Sequence, residues 1–537
     1  MTVKNRKGLL CLLFALLLLL GAGAALALLL HEKTDAGQEY DTEDAVTLSF
    51  SDSGIALRSG DAGSVEIDGT ALRIQSAGTY ILSGRCADGS VKVEKNVSDV
   101  TLVLSGLDLT STSTAPITCG KGSGVTIVAA QGTENALADS TTNNDDSFPE
   151  NEAAENAVIK CKDGSAVTLC GTGALSITAN GKNGIKSGAS VEGSGDASLT
   201  IREITLNISA PVNDAINTEQ LLDIESGSLV IQAGDDAIHC DRILNIGTAQ
   251  GEGPEIQVTG CYEGLEAAQL NIFSGTMDVL STDDCLNTAN SDLTNTSFSM
   301  SISGGSITAC SSSGDGFDSN GTLTISGGTV IVWTVSTADN QPLDADGEIS
   351  ITGGTVLAAG GSAGMGMNLS AGQPYVIFGS SAAGGFDRPG SFGGDPEQTS
   401  AGGSGLSLTQ GEAFTLSDEN GSVLYSGQAA CQASYLFFSS SQLSSGSSCT
   451  LSGSSSSSSA TAGTDTISGS PGNLPGDFRP GETPENPGDF QPDENFRPGS
   501  APSGEGQPPQ TSGGRPDGNP PQPPQNSSSS PAGGSPT

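Results

Sequence analysis

Basic residues are scarce in this chain of 537 residues: 20 lysines and arginines stand against 61 aspartates and glutamates, a formal charge of −41. A surface so acidic repels nucleic acid and anionic membrane, so neither is expected as a direct partner. Cations are compatible ligands, and a polyanion becomes one when a cation lies between. Aromatics make up only 4% of the residues, with a single tryptophan, which leaves little material for stacking sugar rings. There is no CxxC pair, no Cys/His metal spacing, no EF-hand loop and no RTX nonapeptide. Helical periodicity is also missing between the short apolar runs, so few helices are expected.

What is present is a seven-fold echo. The copies read KNGIK (182–186), NDAIN (213–217), DDAIH (235–239), YEGLE (262–266), DDCLN (283–287), GDGFD (314–318) and NQPLD (340–344). Their apolar members are Ile185, Ile216, Ile238, Leu265, Leu286, Phe317 and Leu343, spaced 31, 22, 27, 21, 31 and 26 residues apart. Between them lie β-branched runs broken by glycine, such as SGSLVIQA, SGGSITA and SGGTVIVW. A period of this size means stacked units that cannot bury a core alone. Two or three short strands per unit favour an all-β parallel β-helix over a leucine-rich horseshoe. The landmarks, with Val230, Val279, Ile307, Val330 and Val356, are expected to stack inward.

The N-terminus bears on compartment. Lys4, Arg6 and Lys7 precede an unbroken small or apolar stretch from Gly8 to Leu30, 23 residues. At about 1.5 Å each these exceed the roughly 30 Å hydrocarbon core, as an uncleaved membrane anchor requires. Ala25-Leu26-Ala27 would instead suit cleavage of a signal peptide. Either reading places the chain from residue 31 onward outside the cytoplasm, secreted or at the cell surface. After residues 1–30 come a spacer (31–45) and a predicted β-helix (46–449). Within the latter lie an acidic loop (131–157), a Gly-rich insertion (384–405) and a C-terminal cap (411–449). Residues 450–537, rich in Ser, Pro and Gly, read as a disordered tail. Of the 11 cysteines most read as small buried hydrophobes, and Cys431 with Cys449 is the pair best placed for a disulfide.

Three ordered segments carry a resemblance: TYILSGRCADGSVKVEKNVSDVTLVLSGLDLTS, then VTIVAAQGTENALADS, then ENAVIKCKDG followed by LSITANGKNGIKS. The chain from roughly 60 to 450 resembles the β-helical carbohydrate-binding domain family of clostridial cell-surface proteins. That resemblance implies a right-handed β-helix binding plant cell-wall polysaccharide, acidic pectic chains and cellulose, with calcium. The chain departs from the family's D-D-G-I turn at Asn183 and Asn213, and the NQPL turn lacks the acidic pair, so fewer calcium positions are expected.

The residues themselves offer carboxylate pairs at Asp235 with Asp236, Asp283 with Asp284, and Asp315 with Asp318. Glu263, Glu266, Asn213 and Asp214 add oxygens. Equivalent residues on adjacent coils would stand about 4.8 Å apart. Ionised carboxylates at that spacing repel, and a hard cation taking six to eight oxygens relieves them. Asp, Asn and Gly equally supply corner conformations, so each position alone has a structural reading. Tyr262 and Trp333 are the aromatic candidates for sugar contact, each with a structural alternative as well. A lyase or pectin hydrolase is the enzymatic alternative. Asp235-Asp236 with His239 loosely resembles a polygalacturonase element, whose companion His-Gly and Arg-x-Lys elements are not visible. Arg242 near Asp235, Asp236 and Asp241 is the candidate lyase base, although ion-pair roles suit it, Lys186 and Arg202 better. A surface adhesin with a protein partner is the third possibility.

Overall fold

A computed structural model describes residues 40–191, 197–290, 293, 296–335, 340–360, 368–379, 402–403, 406–454 and 456–467. The regular structure of the described residues is β-strand, apart from one three-residue 3-10 turn at Ala62–Ser64. Thirty-five strands join a single sheet in which nearly all pairings are parallel. Each coil contributes to three parallel ladders, and the coils stack as a parallel β-helix.

The first ladder contains the sequence landmarks. It passes through Ser90–Val93, Ile117–Cys119, Ala157–Cys161, Asn183–Ser187 and Ile216–Thr218, then through the opening residues of Ile238–Ile246 and Leu265–Ile272. Leu286–Thr288 and Phe317–Ser319 continue it, and an isolated bridge from Phe317 to Leu343 ends it. Its register pairs Ile117, Ile159, Ile185, Ile216, Ile238, Leu265, Leu286 and Phe317 in a column, all at most 1% exposed. The irregular spacing of 21 to 31 residues is therefore absorbed by turns, while the inward column stays in step. Each such side chain contributes on the order of 1.5–3 kcal/mol by its removal from water.

Turns of the SGG type separate the second and third ladders. Gly328 there has φ +83°, and a Cβ on Gly327 would lie 2.2 Å from the Ser303 carbonyl oxygen on the coil before. Backbones meet too closely at this edge for any side chain.

Several expectations need correction. Val279, Ile307, Val330 and Val356 point inward as predicted, but Val230 does not: it pairs with Asn207 and Gln257 on the outer face. In SGSLVIQA it is Leu229 and Ile231 that occupy the inward phase, and a one-residue slip inverts every face. The expected loop 131–157 begins with a strand, Glu134–Ala138, inside the third ladder. Asn135 within it accepts hydrogen bonds from the Gly106 (2.9 Å) and Leu107 (3.0 Å) amides and donates to the Ala174 carbonyl (3.1 Å). The remaining loop is pinned to its neighbours by amide side chains. Asn143 bonds Asp139 and Ala157, Asn144 bonds Gly181, and Asn151 bonds Ser113 and Thr142.

The cap is larger than 411–449. The strand Tyr435–Ser440 inserts antiparallel between Thr355–Gly360 and Tyr375–Gly379. A separate sheet joins Val423–Gln428, Ala413–Ser417, Ser448–Gly453 and Ser457–Thr461. The serine run assigned to the tail thus supplies an edge strand, with Ser458 and Ala460 facing in. Cys431 and Cys449 are both free, buried thiols, so no disulfide joins them; Cys431 Sγ lies 3.0 Å from the Thr334 carbonyl oxygen and acts as its donor. The other described cysteines are buried too, save half-buried Cys310. No helix among the described residues is long and apolar enough to cross a membrane. The stretch Gly8–Leu30, the bulk of the insertion 384–405 and the tail beyond 467 lie outside the described residues.

Candidate functional site: an acidic corner beside the first ladder

The repeated turns lie at the corner entering the first ladder, and they stack. Their second positions form one column: Asn183, Asp214, Asp236, Glu263, Asp284, Asp315 and Gln341. Their backbone role is visible coil by coil. Asp214 Oδ1 accepts the Asp236 amide at 3.2 Å, Asp284 Oδ1 accepts the Asp315 amide at 2.6 Å, and Asp315 accepts the Gln341 amide. Asp214, Asp284 and Asp315 therefore each staple the next turn, the corner role that short polar side chains fill.

A second column lies three residues later, on the outward position of the first ladder. It pairs, rung by rung, Lys160, Lys186, Asn217, His239, Glu266, Asn287 and Asp318, and Asp344 follows the last bridge. The two columns meet. Asn217 donates to Asp214 at 2.6 Å. His239 Nδ1 lies 2.9 Å from both Asp236 and Glu266, and its Nε2 lies 2.9 Å from Asp241. Asn287 donates to Glu263 at 3.0 Å. At Asp315, Asp318 and Asp344 carboxylate oxygens gather within 4.8 Å of one another.

Charge follows from this geometry. Burial alone lowers the His239 pKa, but hydrogen bonds to Asp236, Asp241 and Glu266 outweigh it and hold the ring well above its usual value. Carboxylates at hydrogen-bond distance from both ring nitrogens favour the protonated ring, in which both nitrogens donate. Burial also raises Asp236. Further along, no basic side chain among the described residues pairs with Glu263, Asp284, Asp315 or Asp318. Burial, reinforced by neighbouring carboxylates, pushes Glu263 up to about 7, Asp284 to about 9, Asp315 to about 7 and Asp318 to about 6.

The donor set suits a hard cation. Asn287 is 7% exposed, and its Oδ1 is buried with no donor among the described residues, on the rung between Glu266 and Asp318. A buried amide oxygen without a donor, surrounded by carboxylates, is an acceptor site with its counterpart missing. Asp315, Asp318 and Asp344 are the residues that would hold calcium, with Asn287 on the rung before Asp318.

Of the residues singled out from sequence, Asp214, Asp235, Asp236, Glu263, Glu266, Asp284, Asp315 and Asp318 lie along this corner. Asn213 donates to Asn183 at 2.7 Å, one coil back. Tyr262 is 46% exposed there; its hydrogen bond to Asp283, with burial second, pushes its hydroxyl to about 12. Trp333 is corrected: it is 2% exposed and meets Phe414 edge-on at 5.9 Å. It does sit on the outward face of its strand, next to Cys310, but the cap covers that face. Arg242 is exposed, and neither it nor Lys186 has an ion pair within 4 Å among the described residues. Asn217, Asn287 and Asp344 were missed, and the signal for all three was their place just after each apolar landmark.

A parallel β-helix with an acidic, partly buried corner is the class of molecule these features define. A family model described as carbohydrate-binding domain-containing protein matches residues 68–364, more than half the chain, and the chain belongs to that family. A carbohydrate-binding domain-containing protein of Acetivibrio thermocellus is 33% identical over 115 residues; the match covers 21% of this chain and 39% of that protein. A solved polysaccharide lyase-like protein from C. thermocellum, studied as a gadolinium derivative, aligns at 20% identity with a TM-score of 0.31. That alignment covers 58% of this chain and 93% of the other.

Proposed function

We propose that the chain is an exported, non-catalytic β-helix that binds extracellular polysaccharide, with calcium held at the acidic corner. The ion would neutralise carboxylates that otherwise repel one another and would present an open coordination position to acidic, pectic sugars. The observation that carries this reading is the cluster of Asp315, Asp318 and Asp344, whose carboxylate oxygens lie within 4.8 Å of one another, beside the donor-less Asn287 Oδ1. Membership of the carbohydrate-binding family supplies the ligand class.

The test is retention of the purified chain on polygalacturonate and on cellulose, in calcium or in chelator, with the supernatant assayed for unsaturated and reducing sugars. Greater retention on polygalacturonate in calcium, without product, is expected. Released sugars would contradict the non-catalytic reading. Absence of retention on either glycan would contradict carbohydrate binding itself.

A further inference from the structure

The same outward column changes character towards its N-terminal end. Its register runs Arg73, Lys92, Thr118, Lys160, Lys186 before reaching Asn217. Four cations thus occupy five successive rungs of a protein whose net charge is −41. Arg73 and Lys92 share one carboxylate, Glu94, at 3.1 and 4.0 Å. Lys160 and Lys186 are direct neighbours in the register, about 4.8 Å apart along the stack. Neither has an ion pair within 4 Å among the described residues, whereas Lys121, Lys162 and Lys182 each hold one with Asp163, Glu155 and Asp146.

Two stacked ammoniums without a close counterion are unfavourable unless something anionic lies over them. The nearby carboxylates compensate only in part: Glu155 and Glu219 favour the Lys160 charge, yet burial and Lys186 outweigh them. Glu155 already holds Lys162 at 2.7 Å. Glu219 lies near both lysines, yet burial keeps its pKa raised, against the lowering that tight pairing would give. Asp163 and Asp241 act on Glu219 from further off. Lys160 is itself partly desolvated, and burial with Lys186 beside it lowers its pKa. Both side chains remain half-buried, so an approaching anion would meet them already partly dry.

We propose that Lys160 and Lys186 form a direct, metal-free subsite for carboxylate groups on an acidic polysaccharide. This rests on the polysaccharide-binding reading above and adds a second mode of contact to it. An extended chain lying along the outward column meets ammoniums on these coils and cation-seeking carboxylates on the later ones. Neutral glycans offer the lysines hydroxyl acceptors but no charge to pair with. The column therefore selects for sugars that carry charge.

The experiment measures retention of the full-length chain on polygalacturonate in chelator at low salt, with cellulose as the neutral comparison. The double variant Lys160→Gln, Lys186→Gln is expected to lose roughly tenfold in affinity for polygalacturonate, the scale of one charge-assisted hydrogen bond. Its cellulose binding should be unchanged, and Lys160→Arg with Lys186→Arg should restore polygalacturonate binding. Wild-type binding in chelator should also fall as the polygalacturonate is progressively methyl-esterified, which tests the subsite without any variant. Equal binding by wild type and the Gln variant in chelator would overturn the subsite, as would retention that ignores esterification. Polygalacturonate binding seen only in calcium would overturn it and leave the polysaccharide reading intact. Loss of both glycans in every condition would remove both.

Discussion

Two carboxylate clusters on the same corner face the same problem and meet it differently. At Asp236, Asp241 and Glu266 the column supplies His239, whose two nitrogens reach all three at 2.9 Å. At Asp315, Asp318 and Asp344 the column supplies only more carboxylate. Fold position and backbone role match, and the next residue in register decides whether the cluster is balanced from within. The cluster around His239 has a basic group facing its carboxylates; the one at Asp315, Asp318 and Asp344 is relieved only by protonation or by a cation from solvent.

The largest effect should come from making the first cluster resemble the second. His239→Ala leaves Asp236 and Glu266 without their donor and should cost about 3 kcal/mol at pH 7, measured by chemical denaturation. It should also give the variant a calcium-dependent gain in Tm at that rung. A stable variant indifferent to calcium would break the comparison.

Next is pH. Carboxylates with folded pKa values raised to about 6 and 7, as at Asp318 and Asp315, favour folding while protonated. Their stabilising share is fully present below the unfolded value near 3.8 and is lost as pH rises through about 6 to 7. In chelator, Tm should therefore fall between pH 5 and 8 (approximate bounds). Calcium should restore it at the upper end and do little at the lower, where protons compete. His239, also raised, loses its share as pH climbs from its unfolded value near 6.5 through its own elevated pKa, so it adds to the fall on the alkaline side of the window.

Asp318→Asn should raise stability in chelator by about 1 kcal/mol near pH 8 by removing one repelling charge, while shrinking the calcium response. The smallest effect is expected at Tyr262: Tyr262→Ala on an exposed corner should change stability by less than about 0.5 kcal/mol. If the ring contacts sugar, glycan retention falls all the same; unchanged retention would confine Tyr262 to its bond with Asp283.

The inward column was legible from sequence because one residue type recurs at one place, from Ile185 to Leu343. So was the second-position column, since Asp dominates it. The outward column was not, because Lys186, Asn217, His239, Glu266, Asn287 and Asp318 share no chemistry. Only parallel register makes them neighbours, and only then do donors and acceptors sort to opposite ends. Trp333 misled for a similar reason: its strand faces outward, and the cover arrives from Phe414, far along the chain. Val230 misled because three apolar residues in a row hide the phase of the strand.

The most direct measurement is diffraction from crystals grown in calcium, with anomalous scattering used to locate the ions. A peak among Asp315, Asp318 and Asp344, with none at His239, is the expected result. A peak bound by Asp236 and Glu266 in place of the His239 contacts, with none at the later cluster, would contradict the account.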